Sequence, residues 1–161
     1  MTVQNGPLSA RDAVAERMLM VAWNLVHAMR RSRSQVDRHV RHILGRLDWD
    51  QLDTDPTGRS LREQLLDGMS RKIGRRRREA FREAALNAIA LDEMRLLPQR
   101  QQELLSGVMR DRMDLASAAR RSNIELDEAI AEIRSTLRAI ERRVASAGAA
   151  LDPSGSRPRR S

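Results

Sequence analysis

Cysteine is absent from the 161 residues, which excludes a disulfide framework and the thiolate-based structural zinc sites. Tyrosine is absent too, and aromatics make up only 2% of the chain. A core must therefore be built from Leu, Ile, Val, Met and Ala. Strand-forming residues are sparse and apolar residues rarely alternate with polar ones, while Arg, Ala, Leu, Glu and Met dominate, all good helix formers. The fold class this implies is all-α. No apolar run approaches the roughly 20 residues needed to cross a bilayer. The segment from Met1 to Pro7 lacks the charged-then-apolar order of a signal peptide, so the expected compartment is the cytoplasm. Lysine is almost missing: Lys72 stands alone, and the net charge of +8 is carried by arginine.

Apolar spacing divides the chain into helices. Val14, Met18, Val21, Leu25 and Met29 form one stripe between Asp12 and Arg31, with Asp12 the expected N-cap. A polar break at Ser32–Ser34 precedes a second run, Val36, Val40, Ile43, Leu44 and Leu47. Trp49 follows, and then a turn from Asp53 to Gly58 rich in Asp, Thr and Pro. Ser60, with Glu63 three residues on, reads as a capping box for a third helix burying Leu61, Leu65, Leu66, Met69 and Ile73.

Gly74 and the run Arg75, Arg76, Arg77 and Arg78 suit an exposed connector, because four adjacent like charges repel. These arginines are the candidates for contacting phosphate. The helical moment from Glu79 to Arg95 is weaker, which suggests a linker helix. Leu96-Leu97-Pro98 opens the next helix, with Leu104, Leu105 and Val108 as its stripe. Asp114 then caps a short Ala-rich helix, Leu115 to Arg121. Ser122-Asn123 breaks it, Asn123 being suited to a left-handed position. A long helix follows from Leu126 to Val144, with Ile130, Ile133, Leu137, Ile140 and Val144 spaced by three and four. The resulting layout is a flexible N-terminus (1–11), a helical module (12–78), a linker helix (79–95), a second module (96–146) and a disordered basic tail (147–161).

A short helix, a tight turn and a longer helix make the geometry of a helix-turn-helix. Its expected members are Asp114, Ala118, Asn123, Asp127, Glu128, Ala131, Glu132 and Arg134. An ordinary helical hairpin has the same spacing, so the flanking residues carry the distinction. The stretch Leu96-Leu97-Pro98-Gln99-Arg100-Gln101-Gln102-Glu103-Leu104-Leu105 resembles the opening of region 4 of bacterial RNA polymerase sigma factors. Upstream, Met18 to Arg78 resembles a compact sigma region 2, so the order matches the small extracytoplasmic-function type. The resemblance implies a transcription regulator with two modules joined by a basic linker.

The departures point to a particular relative. The expected reading helix presents Asp127, Glu128 and Glu132, with Arg134 the nearby cation, and carboxylates near phosphates oppose counterion release. Ser34 to Val40 keeps one acid where working sigma factors carry an acidic cluster. Asp37-Arg38-His39-Val40, with Leu44 and Leu47, instead resembles the sigma-like domain of the PhyR general-stress regulators, which binds an anti-sigma protein. That family continues into a receiver domain, whereas these residues end at Ser161, so phosphorylation of an attached receiver is not the expected switch. The resemblance implies a regulator that acts through an anti-sigma factor or core RNA polymerase, with promoter DNA a further partner. Partner-binding candidates are Asp37, His39, Val40, Leu44, Leu137, Ile140 and Val144. The alternatives are a genuine alternative sigma factor and a helix-turn-helix protein of phage or mobile-element origin.

No catalytic constellation, Gly-rich phosphate loop or cofactor motif is present, so an enzyme, a small-molecule substrate and a membrane partner are not expected. His27, His39 and His42 read as solvated residues in preference to metal ligands. Trp23 and Trp49 read as core or inter-helix anchors. The methionines at 18, 20, 29 and 69 read as core filler, or as an adaptable surface for a partner helix.

Overall fold

Ser9 sets the start of the first helix. Its hydroxyl accepts from the Asp12 backbone N–H at 3.1 Å while the Asp12 carboxylate accepts from the Ser9 N–H at 3.3 Å, a reciprocal capping box. Asp12 is thus the third residue of the helix and not its N-cap, and the helix begins before the expected boundary at residue 12. The computed structural model describes residues 9–29 and 33–151, with 33–36 as backbone alone. Among them every regular element is helical, and the chain divides into two compact units inside a helix, between Ile89 and Ala90.

In the first unit, α1 (Ala10–Ala28), α2 (Arg33–Leu44) and α3 (Arg59–Ser70) pack on one another. Ser34, expected in a break, lies inside α2. The stripe on α1 buries Val14, Met18, Val21 and Leu25 as its spacing requires, and α3 buries Leu61, Leu65, Leu66 and Met69. Each such side chain contributes about 1.5–3 kcal/mol of burial. Trp23 is 39% exposed, so of the two expected roles it does not take that of a core residue. Trp49 does anchor: in a 3-10 turn (Trp49–Asp53), its indole N–H donates to the Leu44 carbonyl at 3.1 Å, and the Arg11 guanidinium lies 5.4 Å from its ring centre.

The start of α3 departs from the expected Ser60 cap. The N-cap is Gly58, at φ +67°, where a Cβ would come within 2.6 Å of Val14 Cγ1. Only glycine meets both demands. With no side chain at the cap, Asp55 does the work from the preceding turn. Its carboxylate accepts from the Ser60 N–H at 2.8 Å, the Ser60 hydroxyl at 2.9 Å, the Thr57 N–H at 3.2 Å and the Thr57 hydroxyl. Burial pushes this carboxyl up, but the hydrogen bonds outweigh it and hold the pKa at about 2.

Arg75–Arg77 form an exposed 3-10 turn leading directly into α4 (Arg78–Arg95). The helix expected at 79–95 is formed, and it buries Phe81, Ala84, Ala85, Ala88 and Ile89. Alanines register weakly on a hydropathy scale but allow close approach, so the low moment conceals a packed face.

The second unit joins the end of α4 to α5 (Gln99–Met109), α6 (Leu115–Arg121) and α7 (Leu126–Ala150). Gln102 Nε2 donates to the Leu97 and Arg95 carbonyls at 2.7 and 3.0 Å, which satisfies groups left open where α4 ends. One core cluster joins Leu104, Ala118, Ala119 and Ala129, and a second joins Leu97, Leu105 and Ile140. α7 runs six residues past the expected Val144, so Ala147–Ala150 are helical and not part of a tail. The tail arginines Arg157, Arg159 and Arg160 lie outside the described residues.

Candidate interface at the helix-turn-helix

The segment expected to form the helix-turn-helix consists of α6, a turn and the start of α7, with α5 packed on α6. At Gly107 on α5 a Cβ would meet the Ala118 Cβ at 3.3 Å, so small residues on both helices set this close crossing. Asp114 is the N-cap of α6, accepting from the Ser117 N–H at 2.9 Å and its hydroxyl at 2.8 Å. The backbone bond from Ser117 is the main reason its carboxyl is held below the ordinary value. Asn123 adopts φ +54°, the left-handed conformation its position demands. The Asn123 N–H returns to the Arg120 carbonyl and the Ile124 N–H to the Ala119 carbonyl, both at 3.1 Å. That pair of bonds closes α6 as a Schellman motif, with Ile124 packed on the buried alanines.

The surface of this motif is set by ion pairs that local spacing does not reveal. Arg100, at the start of α5, hydrogen-bonds Glu128, and its Nε lies 3.4 Å from Glu132 Oε2. The bond to Glu128 is the chief reason that the Arg100 guanidinium is held even more firmly in its charged form. Arg121 donates to Asp111 at 2.8 Å and is the main cause of that carboxyl's lowered pKa. Asp127, Ala131 and Arg134 are exposed. Between Ala90 and Ala149 ten arginines face ten carboxylates, so the unit that carries the motif has no net charge. Around the elbow, Ala116, Ala119, Arg120, Ile124, Glu125 and Leu126 help line an open cleft of about 480 Å³. Arg100, Glu125 and Leu126, which take part in these ion pairs or line this cleft, were not among the expected site residues. For Arg100 the available signal was an opposite charge one helix away.

The partner-binding candidates fall into two sets. Val40 is buried in the first unit, and Leu44 is half-buried with its carbonyl bound by Trp49. Asp37 is exposed, and His39 is half-buried beside Lys72, Nδ1 to Nζ 3.5 Å. On α7 the buried line is Ala129, Thr136, Ile140 and Ala147, rotated from the expected stripe. Ile140 belongs to a core cluster and is covered by its own unit, and the half-buried Val144 packs against that cluster. Leu137, by contrast, is 48% exposed, and Leu126 is 43% exposed. The candidate phosphate-contacting residues Arg75, Arg76, Arg77 and Arg78 are all exposed.

Among the described residues no helix is long and apolar enough to cross a membrane. No family model, curated protein or solved structure matches this chain.

Proposed function

We propose that this chain is a cytoplasmic regulator of transcription with a sigma-factor-like layout, acting through a protein partner and not through base readout. The partner is an anti-sigma factor or core RNA polymerase. The observation that carries this reading is the engagement of Glu128 and Glu132 by Arg100. It fixes carboxylates on the reading helix of a unit with no net charge, so the counterion-release term that drives duplex binding is small there. Leu126 and Leu137, exposed on the same helix, suit an apolar protein contact better than a phosphate surface.

The test is a binding experiment with purified components: this chain, core RNA polymerase, a panel of anti-sigma factors and a randomised duplex library. A stable complex with one of the proteins, and no enrichment of any duplex sequence, is the expected result. Promoter-specific initiation by core polymerase supplemented with this chain alone would overturn it in favour of a working sigma factor.

A further inference from the structure

The net positive charge of the chain lies outside residues 90–149, and part of it gathers on one face of the first unit. Two segments are strongly basic: residues 30–46 hold six arginines against Asp37, and residues 71–78 hold six cations and no carboxylate. The structure brings them together. Lys72 Nζ lies 3.5 Å from His39 Nδ1. Further along, a Cβ on Gly68 would meet Ile43 Cγ2 at 3.3 Å, and the Asp48 N–H donates to Gln64 Oε1 at 3.0 Å. These three contacts run in opposite directions along the two segments, so α2 and α3 are antiparallel. The beginning of α2 therefore lies at the same end as the Arg75–Arg77 turn. The first turn of α2 contains no acidic residue.

Helix geometry divides the α2 cations. At about 100° per residue, His42 lies about 60° and Arg38 about 100° round from His39 in the same direction, whereas Asp37 and Arg41 lie roughly 160° round from it. Arg71 is held by Asp67 at 2.6 Å. What remains on the face is Arg38, His39, His42, Lys72 and the exposed run Arg75–Arg78.

We propose that this face binds the phosphodiester backbone of a nucleic acid without reading its bases. Guanidinium groups match phosphate oxygens two at a time, and all the fixed cations here except Lys72 are arginine. Among the described residues, the large exposed apolar side chains are Leu19, Met20, Trp23, Leu91, Met109, Leu126 and Leu137. None belongs to α2 or to residues 71–78, so these two segments lack the apolar component of a membrane-surface site. No residue of α5, α6 or α7 enters the proposal, so it stands or falls separately from the partner reading above.

The experiment measures binding of the full chain to labelled oligo(dT) of about twenty nucleotides, between about 0.05 and 0.2 M salt. An oligo-glutamate of similar charge runs in parallel. Arg38→Gln with Lys72→Gln removes one charge from each segment and should weaken oligo(dT) binding about tenfold at the lower salt. It should also flatten the log–log salt slope by about 1.4, near 0.7 for each phosphate no longer neutralised. Replacing Arg75–Arg78 by Gln should have a larger effect in the same direction. Arg41→Gln with Arg138→Gln removes the same charge from residues outside the proposed set and should change affinity less than twofold. Equal weakening in this control pair would show that net charge alone acts, and would overturn the site. Weakening on changing Arg75–Arg78 but not Arg38 and Lys72 would overturn the joint face. Equal or tighter binding of oligo-glutamate would make it an acidic-protein surface instead. Unchanged helical circular dichroism in each variant confirms that charge, and not folding, is being read.

Discussion

Arg143 on α7 donates to Glu93 on α4 at 2.9 Å, and the two ends of this bond differ sharply in exposure: the Glu93 side chain is fully buried while that of Arg143 is 45% exposed. The pair ties the far half of α7 to the end of α4 within the second unit. A buried carboxylate loses hydration on folding, and a charged hydrogen bond offsets part of that cost. Arg143→Gln should therefore destabilise the protein by about 1–3 kcal/mol, read as a lower urea midpoint. Arg143→Lys should recover part of the loss through its charge. A midpoint unchanged in the Gln variant would show that other groups alone accommodate Glu93.

Acid should act on the first unit through Asp55. Its folded-state pKa of about 2 lies below the ordinary 3.8. A depressed carboxyl contributes stability that is fully present above the unfolded value and is lost as pH falls through the folded one. Stability should thus decline between about pH 4 and 2, with Asp55 accounting for about 1–2 kcal/mol after allowance for solvent screening. Asp55→Asn keeps one acceptor oxygen but not the charge. It should lower stability at neutral pH and flatten the acid limb of the stability curve. An acid limb identical to that of the parent would remove Asp55 from this account.

Much of the fold was legible wherever burial used large side chains at regular spacing. Val14, Met18, Val21 and Leu25 on α1, and Leu61, Leu65, Leu66 and Met69 on α3, are buried as their periodicity requires. The reading failed where small residues make the contact. On α7, Ile140 is buried and Ile133 and Val144 pack on the core as their spacing requires, but Leu137 is exposed and the buried line also passes through Ala129, Thr136 and Ala147. α4 was underrated for the same reason. Local chemistry misled at Ser60, where the serine and Glu63 imitate a capping box while Gly58 and Asp55 perform the function. At the site, Asp114 and Asn123 were legible because their roles are set by immediate neighbours. The pairing of Arg100 with Glu128 spans 28 residues, and no local pattern encodes it.

That pairing makes a prediction about nucleic acid. If the carboxylates of α7 are what keep duplex DNA away, neutralising them should admit it. Asp127→Asn, Glu128→Gln and Glu132→Gln together should raise non-specific duplex affinity at least about tenfold at low salt, with a steeper salt slope. Part of the gain comes from Arg100, which is released to meet phosphate. Arg100→Gln added to the triple variant should reverse that part. Equal duplex binding by the parent and the triple variant, in filter-binding titrations, would show that the carboxylates do not govern access.

The exposed and buried residues of α7 can be separated by their effects. Ile140 is 8% exposed and packs with Leu97 and Leu105, whereas Leu137, three residues earlier, is 48% exposed. Ile140→Asp places a carboxylate in a closed apolar cluster and should cost several kcal/mol, roughly 3 or more, most of the margin of a small domain. Leu137→Asp meets solvent and should change stability by less than about 0.5 kcal/mol. Any loss of partner binding in the Ile140 variant then follows from unfolding, while a loss in the Leu137 variant, with its thermal midpoint unchanged, reports a contact surface. Leu126→Asp, at 43% exposure near the start of the same helix, extends the test to the elbow cleft. If both exposed variants bind the partner identified above with parental affinity, this side of α7 is solvent-facing in the complex, and the partner must be held through residues of the first unit.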